Sequence, residues 1–473
     1  MRWLLLIAAL LPAGASAAPR KAEAPAHAAP VVAVEVVRQA NDWTAEFTFG
    51  RDAPVWAFTR SAMTREGTQP WRPLAWTVET KGVELQRLGF YDALVATKGT
   101  VPRKVRIRFK PYANGLRADY DPALAFTDGS VALYTEHYNA VPLPSQHAAR
   151  SLPSHLNGLD LPHDEPAAVT FTDRGATVLH AGRRSRSVTV SGADSYVLFG
   201  SARTVEAPAI TTIMDPQLPL WLTAELADYT PKLLSFYAER LGPRQGPKPM
   251  IMVTWAGPTP GVRSMGGSVL PGLITMRFEG QVVAARSKAV QDAARWFIAH
   301  ESSHFWAGQA VSYGSPAEAW ITEGGADLLA IRAAAQLDTS FDSRAELQKR
   351  LDDCVSLAAK GPISTAAERN EHNVYYSCGA MFGLAAEAAA AKKGGDFFGF
   401  WKGLIERNRA DGIADRRDWL AELSGLTGSN NAGSVIERML DNASPNAAEM
   451  LAELFRSTGV AVRRDATGRL LLS

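Results

Sequence analysis

The stretch from Phe297 to Ala330, FIAHESSHFWAGQAVSYGSPAEAWITEGGADLLA, constrains the fold more than any other part of the chain. His300 and His304 stand four residues apart on a segment that reads as a helix. Ser287 is placed to cap it, Val290, Ala294, Phe297 and Ile298 give it an apolar face, and it runs through Trp306 to end near Gly308. Residues i and i+4 lie about 40° apart around a helix axis and one turn along it, so both imidazoles lean over one face. Glu323 follows after a spacer of eighteen residues. Ahead of it, Ser315, Pro316 and Glu318 supply the N-cap serine, first-position proline and third-position glutamate of a capping box, so a second helix is expected from Pro316. A turn between Gly308 and Ser315 folds that helix back and brings the Glu323 carboxylate to the imidazoles.

Two imidazoles and a carboxylate converging from two helices make a ligand set for zinc, one ion per chain. Three protein ligands leave a fourth position open to water, which marks a catalytic rather than a structural site. Glu301, rotated about 100° from His300, is not a ligand but can reach that water as a general base. Asp327, four residues after Glu323, is placed to accept the second N–H of a metal-bound imidazole; a solvated helix charge is the other reading. The reaction class implied is hydrolysis of an amide or peptide bond, with a peptide or protein as substrate.

At 473 residues the chain is longer than one hydrophobic core usually spans. From Val31 to Pro208 the pattern is strand-like, with VVAVEVV, WTAEFTF, KVRIRF, AAVTFTD and SVTVSG separated by Gly, Asp and Pro, and an all-β sandwich or saddle is expected over 31–208. A helical period at 214–242 precedes two strand candidates, KPMIMVTW and GLITMRF, and nearly everything after Ser287 reads as helix up to the GRLLLS tail. The catalytic core is placed at 209–340 and a helical remainder at 341–473. Residues 1–17 have the basic start, short apolar run and small residues of a secretory signal peptide, and 18–30 are a leader rich in Ala and Pro. The expectation is a periplasmic or secreted protein without a membrane span after signal cleavage. A formal net charge of +2, with no basic run, gives no reason to expect nucleic acid as a partner. In an oxidising compartment the isolated pair Cys354 and Cys378 reads as a disulfide rather than a metal site.

These residues resemble a family. H-E-x-x-H with a glutamate after eighteen residues, in the context WITEGGADLLA, is similar to the gluzincin metallopeptidases of the membrane alanyl aminopeptidase and leukotriene A4 hydrolase type, with the glycyl aminopeptidases as a close relative. The resemblance covers roughly 218–384. It implies an α+β fold, in which an N-terminal β domain is followed by a thermolysin-like catalytic domain with a helical C-terminal part. It also implies a tyrosine that hydrogen-bonds the developing oxyanion. YYSCG offers Tyr375 and Tyr376; adjacent helical residues point about 100° apart, and Tyr376 aligns with the family's motif. Cys378 stands where the family has lysine, and a bond to Cys354 would staple the tyrosine's helix to the preceding one.

The departure from the family lies upstream. Its aminopeptidases carry G-A-M-E-N on the strand lining the cleft, followed by P-G-L-I or W-G-L-I, and this chain has GGSVLPGLI. Gly266, Gly267, Ser268, Val269 and Gly272 are therefore the expected substrate-binding residues. Val269 occupies the place of the glutamate that holds the substrate's free amine, and a valine there disfavours an ammonium. The leading expectation is a metallopeptidase that is not a standard aminopeptidase. An aminopeptidase with another amine anchor, such as Glu279, and a catalytically weak zinc-containing binding module are the alternatives.

Overall fold

The computed structural model describes residues 31–473 apart from 118, 155, 157, 158, 160, 162–164 and 247. The signal peptide and leader expected over 1–30 lie outside the described residues. No helix among the described residues is long and apolar enough to cross a membrane.

The N-terminal part is built of strands because its apolar residues alternate. In Val32–Gln39, Val32, Val34 and Val36 are buried while Glu35 is exposed; in Lys104–Phe109, Val105, Ile107 and Phe109 turn inward between charged neighbours. The strands form sheets of six, four and five strands among the described residues. Their inner faces share one core, in which Phe47, Trp56, Leu94, Ile107, Leu133 and Phe199 come from all three sheets. The other face of the five-stranded sheet packs on the second unit: Leu124, Tyr134 and Leu198 meet Ile213, Met252 and Leu273 in one apolar cluster.

The second unit opens with a five-stranded sheet of β1 (Thr204–Glu206), β2 (Thr211–Met214), β3 (Met250–Trp255), β4 (Ser264–Leu270) and β5 (Leu273–Glu279), in the order β1-β2-β3-β5-β4. Pairings β2–β3 and β3–β5 are parallel, while edge strand β4 runs antiparallel to β5 with Gly267 opposite Met276 and Val269 opposite Ile274. Strand β1 falls on the β-domain side of the boundary expected at 208. Its short alternation reads like that of the preceding strands, and only its pairing with β2 assigns it to the second sheet. Four helices then carry the site: α1 (Lys288–Ser303), α2 (Ala319–Leu337), α3 (Ser343–Ala358) and α4 (Asn373–Ala391). A short hairpin, Val462–Arg464 with Leu470–Leu472, ends the chain's described part. The architecture is mixed α+β, a β-sheet domain followed by a largely helical region.

Two helix boundaries differ from expectation. Ser287 caps α1 through the Val290 N–H, but the helix stops at Ser303; His304 is its C-cap and keeps helical dihedrals, so the spacing of the two imidazoles survives. The capping box at Ser315 does not form. The Ser315 hydroxyl takes the N–H of Ala317, and the Glu318 carboxylate is engaged by the backbone N–H of Arg416, 3.1 Å away. Pro316–Glu318 accordingly tightens into a single 3₁₀ turn, and α2 begins at Ala319.

Helices α2 and α4 cross in backbone contact. A Cβ on Gly324 would lie 2.2 Å from Cα of Gly379, and one on Gly379 would lie 2.2 Å from the carbonyl oxygen of Trp320. Glycine at both positions lets the helices approach this closely, and the approach brings Tyr376, one turn before Gly379, to the side of α2 that bears Glu323. Cys354 of α3 and Cys378 of α4 are joined by a disulfide, so α4 is also fixed from its other flank. Replacing Gly379 with Ala should therefore force the helices apart and destabilise the protein by about 1–3 kcal/mol, the usual cost of overpacking. Urea unfolding of wild type and variant measures this; an unchanged midpoint would mean that the crossing tolerates a methyl group.

Candidate metal centre

His300 and His304 project from the end of α1 toward α2, and each has its Nδ1 engaged by a protein acceptor. His300 Nδ1–H donates to Asp327 Oδ1 at 3.0 Å, and His304 Nδ1–H donates to the carbonyl oxygen of Ala307 at 2.7 Å. These bonds set the tautomers and leave the Nε2 atoms facing inward. The two Nε2 atoms are 3.2 Å apart, and Glu323 Oε2 lies 3.5 Å from each of them. Glu323 Oε2 is a buried oxygen with no hydrogen-bond donor. A tetrahedral ion with ligand bonds of about 2.0–2.1 Å has ligand–ligand edges of about 3.3 Å. The triangle formed by the three atoms fits that requirement, and all three are of the nitrogen and oxygen types zinc takes.

Electrostatics lead to the same demand for positive charge. Burial acts to lower the His300 pKa, yet Asp327 and Glu323 outweigh it and raise it to about 10. Burial acts to raise Glu323, but the imidazoles of His304 and His300 bring it down to about 2. Two buried carboxylates thus draw cationic charge onto the imidazoles, and either protons or a divalent ion can supply it. Glu301, itself buried, goes the other way: burial pushes it up, and the nearby imidazoles offset only part of the rise.

The pocket that admits Glu301 depends on β4. A Cβ on Gly267 would come within 2.7 Å of Phe297 Cζ and 3.1 Å of Glu301 Cδ, so the missing side chain makes room for α1 and its glutamate against the edge strand. Of the expected substrate-binding residues, Gly267, Ser268, Val269 and Gly272 line a cleft of about 820 Å³ together with Glu301, His304, Glu323 and Tyr376, while Gly266 does not line it. Val269 shares a strand face with Gly267, two residues away, and so faces the side on which Glu301 lies.

The adjacent tyrosines separate as helical geometry requires. Tyr376 is buried with its ring stacked on His300 at 5.4 Å; burial raises its hydroxyl pKa well above the ordinary value, and the neighbouring Glu323 and Glu301 add to the rise. Tyr375 points elsewhere, its hydroxyl bonded to the backbone of Ser364 and Ala367. Asp327 is fully buried rather than solvated, and its second carboxylate oxygen accepts from Arg350 Nε. Glu279 is held by Arg277 at 2.9 Å and Thr259 at 2.8 Å and does not line the cleft.

Several residues of the site carried no sequence signal. Arg350 is one of two arginines on a helix of mixed charge. Tyr120 reaches in from the β domain to donate to the Val269 carbonyl oxygen at 3.2 Å, and Asp194, whose carboxylate accepts from Tyr134, lines the cleft from the same side. Only the small residues of EGGAD and SCG hinted at the close helix crossing.

No family model and no curated protein matches this chain. Solved structures do. Yeast leukotriene A4 hydrolase is 13% identical over 87% of this chain and 68% of its own, with a TM-score of 0.50. The M1 zinc metallopeptidase from Deinococcus radiodurans, a mutant bound to a Tyr-Ser-Ala substrate, is 14% identical over 87% of this chain and 93% of that one, with a TM-score of 0.48. At such identities the likeness is one of fold: a β-sheet domain ahead of a helical region.

Purified protein is expected to carry about one zinc per chain, and His304→Ala should lose it, because two ligands hold zinc poorly where three suffice. Elemental analysis of both proteins decides the matter. Unchanged zinc in the variant would remove His304 from the site.

Proposed function

We propose that the chain is an exported zinc-dependent metallopeptidase that hydrolyses peptide bonds, with His300, His304 and Glu323 as ligands. The observation that carries this reading is the triangle of Nε2, Nε2 and Oε2 atoms opening onto a cleft beside a buried, non-coordinating glutamate. Export rests on the N-terminal run from Trp3 to Leu11 and the small residues after it.

Bound zinc supplies Lewis acidity to a substrate carbonyl and to a water. Glu301 takes the proton of the attacking water and returns it to the leaving amine. Its burial suits this role, because a carboxylate pushed upward holds a transferred proton better than a solvated one. Tyr376 keeps its proton and donates a hydrogen bond to the oxygen that gains charge as the carbonyl is attacked. Gly272 and the β4 edge offer backbone groups along which an extended peptide can lie. Retention of Glu301 and of a cleft-facing Tyr376 argues against a silent binding module, since neither is needed to hold metal.

Val269 argues against the amine selectivity of a standard aminopeptidase, because an apolar wall gives an ammonium no partner. The aminopeptidase alternative keeps one observation in its favour. Asp194 lines the cleft and is the one carboxylate there, among the described residues, apart from Glu301 and Glu323.

Glu301→Gln should keep zinc and fold while turnover falls by about a hundredfold or more. Near wild-type activity would exclude Glu301 as the base. Tyr376→Phe should lower kcat with little change in KM, as expected for a donor that acts in the transition state; a loss confined to KM would point to packing.

Cleavage of one peptide library in free and N-acetylated forms tests the role of Val269. Acetylated peptides should be cut at least as well as free ones, and Val269→Glu should shift preference toward free amines by about 1.5–3 kcal/mol. A strict wild-type demand for a free amine would overturn the reading, and loss of that demand in Asp194→Asn would then identify the anchor.

A further inference from the structure

Arg350 is buried in α3, a helix that contributes none of the proposed ligands. Its Nε donates to Asp327 Oδ2, while Asp327 Oδ1 accepts from His300 Nδ1 at 3.0 Å. Both oxygens of a carboxylate with no solvent exposure are thereby occupied, one by the guanidinium and one by the imidazole. The guanidinium is itself held in orientation, lying over the Trp296 ring with its central carbon 4.7 Å from the centroid. Trp296 in turn sits 5.5 Å from the His300 ring, one turn earlier on α1. One turn beyond Arg350, Cys354 bonds α3 to Cys378, two residues after Tyr376 on α4. The helix bearing Arg350 is thus fixed to the helix bearing the cleft tyrosine.

We propose that Arg350 is a positioning residue of the metal centre, holding Asp327 in the orientation that keeps His300 Nε2 directed at the ion. The inference rests on the zinc reading above and names the residue on which that ligand's geometry depends. The physical reason is that a carboxylate can turn about its terminal torsions. With one oxygen pinned by a planar, stacked donor, it presents the other to His300 from a single direction, and the imidazole's rotation is fixed with it. Lysine retains the charge but not the fork or the stacking plane. A purely electrostatic role predicts the opposite sign, since removing a cation from the neighbourhood of a cation site tightens metal binding.

The test is zinc affinity, measured on the full chain by competition with a chromogenic chelator, with thermal unfolding of the metal-free proteins as the check on folding. Arg350→Met should weaken zinc by about 10–100-fold, the usual range for removal of an outer partner, and Arg350→Lys should weaken it less. Asp327→Ala should weaken it comparably, and the double variant should be no worse than Asp327→Ala alone, because the arginine acts through that carboxylate. Wild-type or tighter binding in Arg350→Met overturns the proposal, as do additive losses in the double variant, which would mean packing against Trp296. Should the methionine variant fail to fold, wild-type affinity in Arg350→Lys overturns it instead. A wild-type chain that takes up no zinc refutes the metal reading, a failure visible before any variant is made.

Discussion

The need to balance buried negative charge governs the helical half of this molecule. Glu301, Glu323 and Asp327 lie within one helical layer with almost no exposure. An isolated carboxylate in such a place is costly, and the fold answers each one differently. Asp327 is neutralised by a buried arginine, Glu323 faces two imidazole nitrogens, and Glu301 is left at the cleft with its pKa raised. The three environments differ in the way the three proposed roles require: orienting group, ligand and base. Carboxylates of the same chemistry are thus distinguished entirely by what packs around them.

That arrangement explains which parts could be read from the chain and which could not. The pair His300 and His304 is local, because four residues on a helix define a face whatever the rest of the protein does. The moved helix end at Ser303 left the pair intact because His304 keeps helical dihedrals. Glu323 was legible because its helix is announced by Ser315 and Pro316, even though the capping box itself gave way to a 3₁₀ turn. Strand alternation in Val32–Gln39 and Lys104–Phe109 revealed the β domain for the same local reason. Arg350, Tyr120 and Asp194 were illegible: their roles arise from contacts 23, 149 and 60 residues away in sequence. The role of β1 was hidden likewise, since sheet membership is a matter of pairing and not of composition.

The glycines show a middle case. EGGAD and SCG look like interruptions of good helices, and in isolation each glycine weakens its helix by about 1 kcal/mol relative to alanine. Their value is visible only when the two helices are placed together, where a methyl group at either position would meet backbone. The same holds at Gly267, whose missing side chain is filled by Phe297 and Glu301. In each case a local penalty is offset by a contact that sets the position of a site residue, so glycine at these points is evidence about tertiary structure.

The remaining step concerns where chemistry and selectivity reside. The proposed ligands and base come from α1 and α2, whose geometry is set by helix packing inside the second unit. The cleft walls come from elsewhere: β4 and the turn after it on one side, and Tyr120, Asp194 and Ser195 of the β domain on the other. The two units meet through a buried apolar cluster that includes Tyr134, Met252 and Leu273, which packs the β-domain wall against the sheet. Tyr120 ties the wall to the edge strand at the carbonyl of Val269. This seam is built from other elements than the helices that bear the proposed ligand triangle. The groups proposed for chemistry and those proposed for selectivity thus stand on different elements, and Val269 belongs to the wall rather than to the helices.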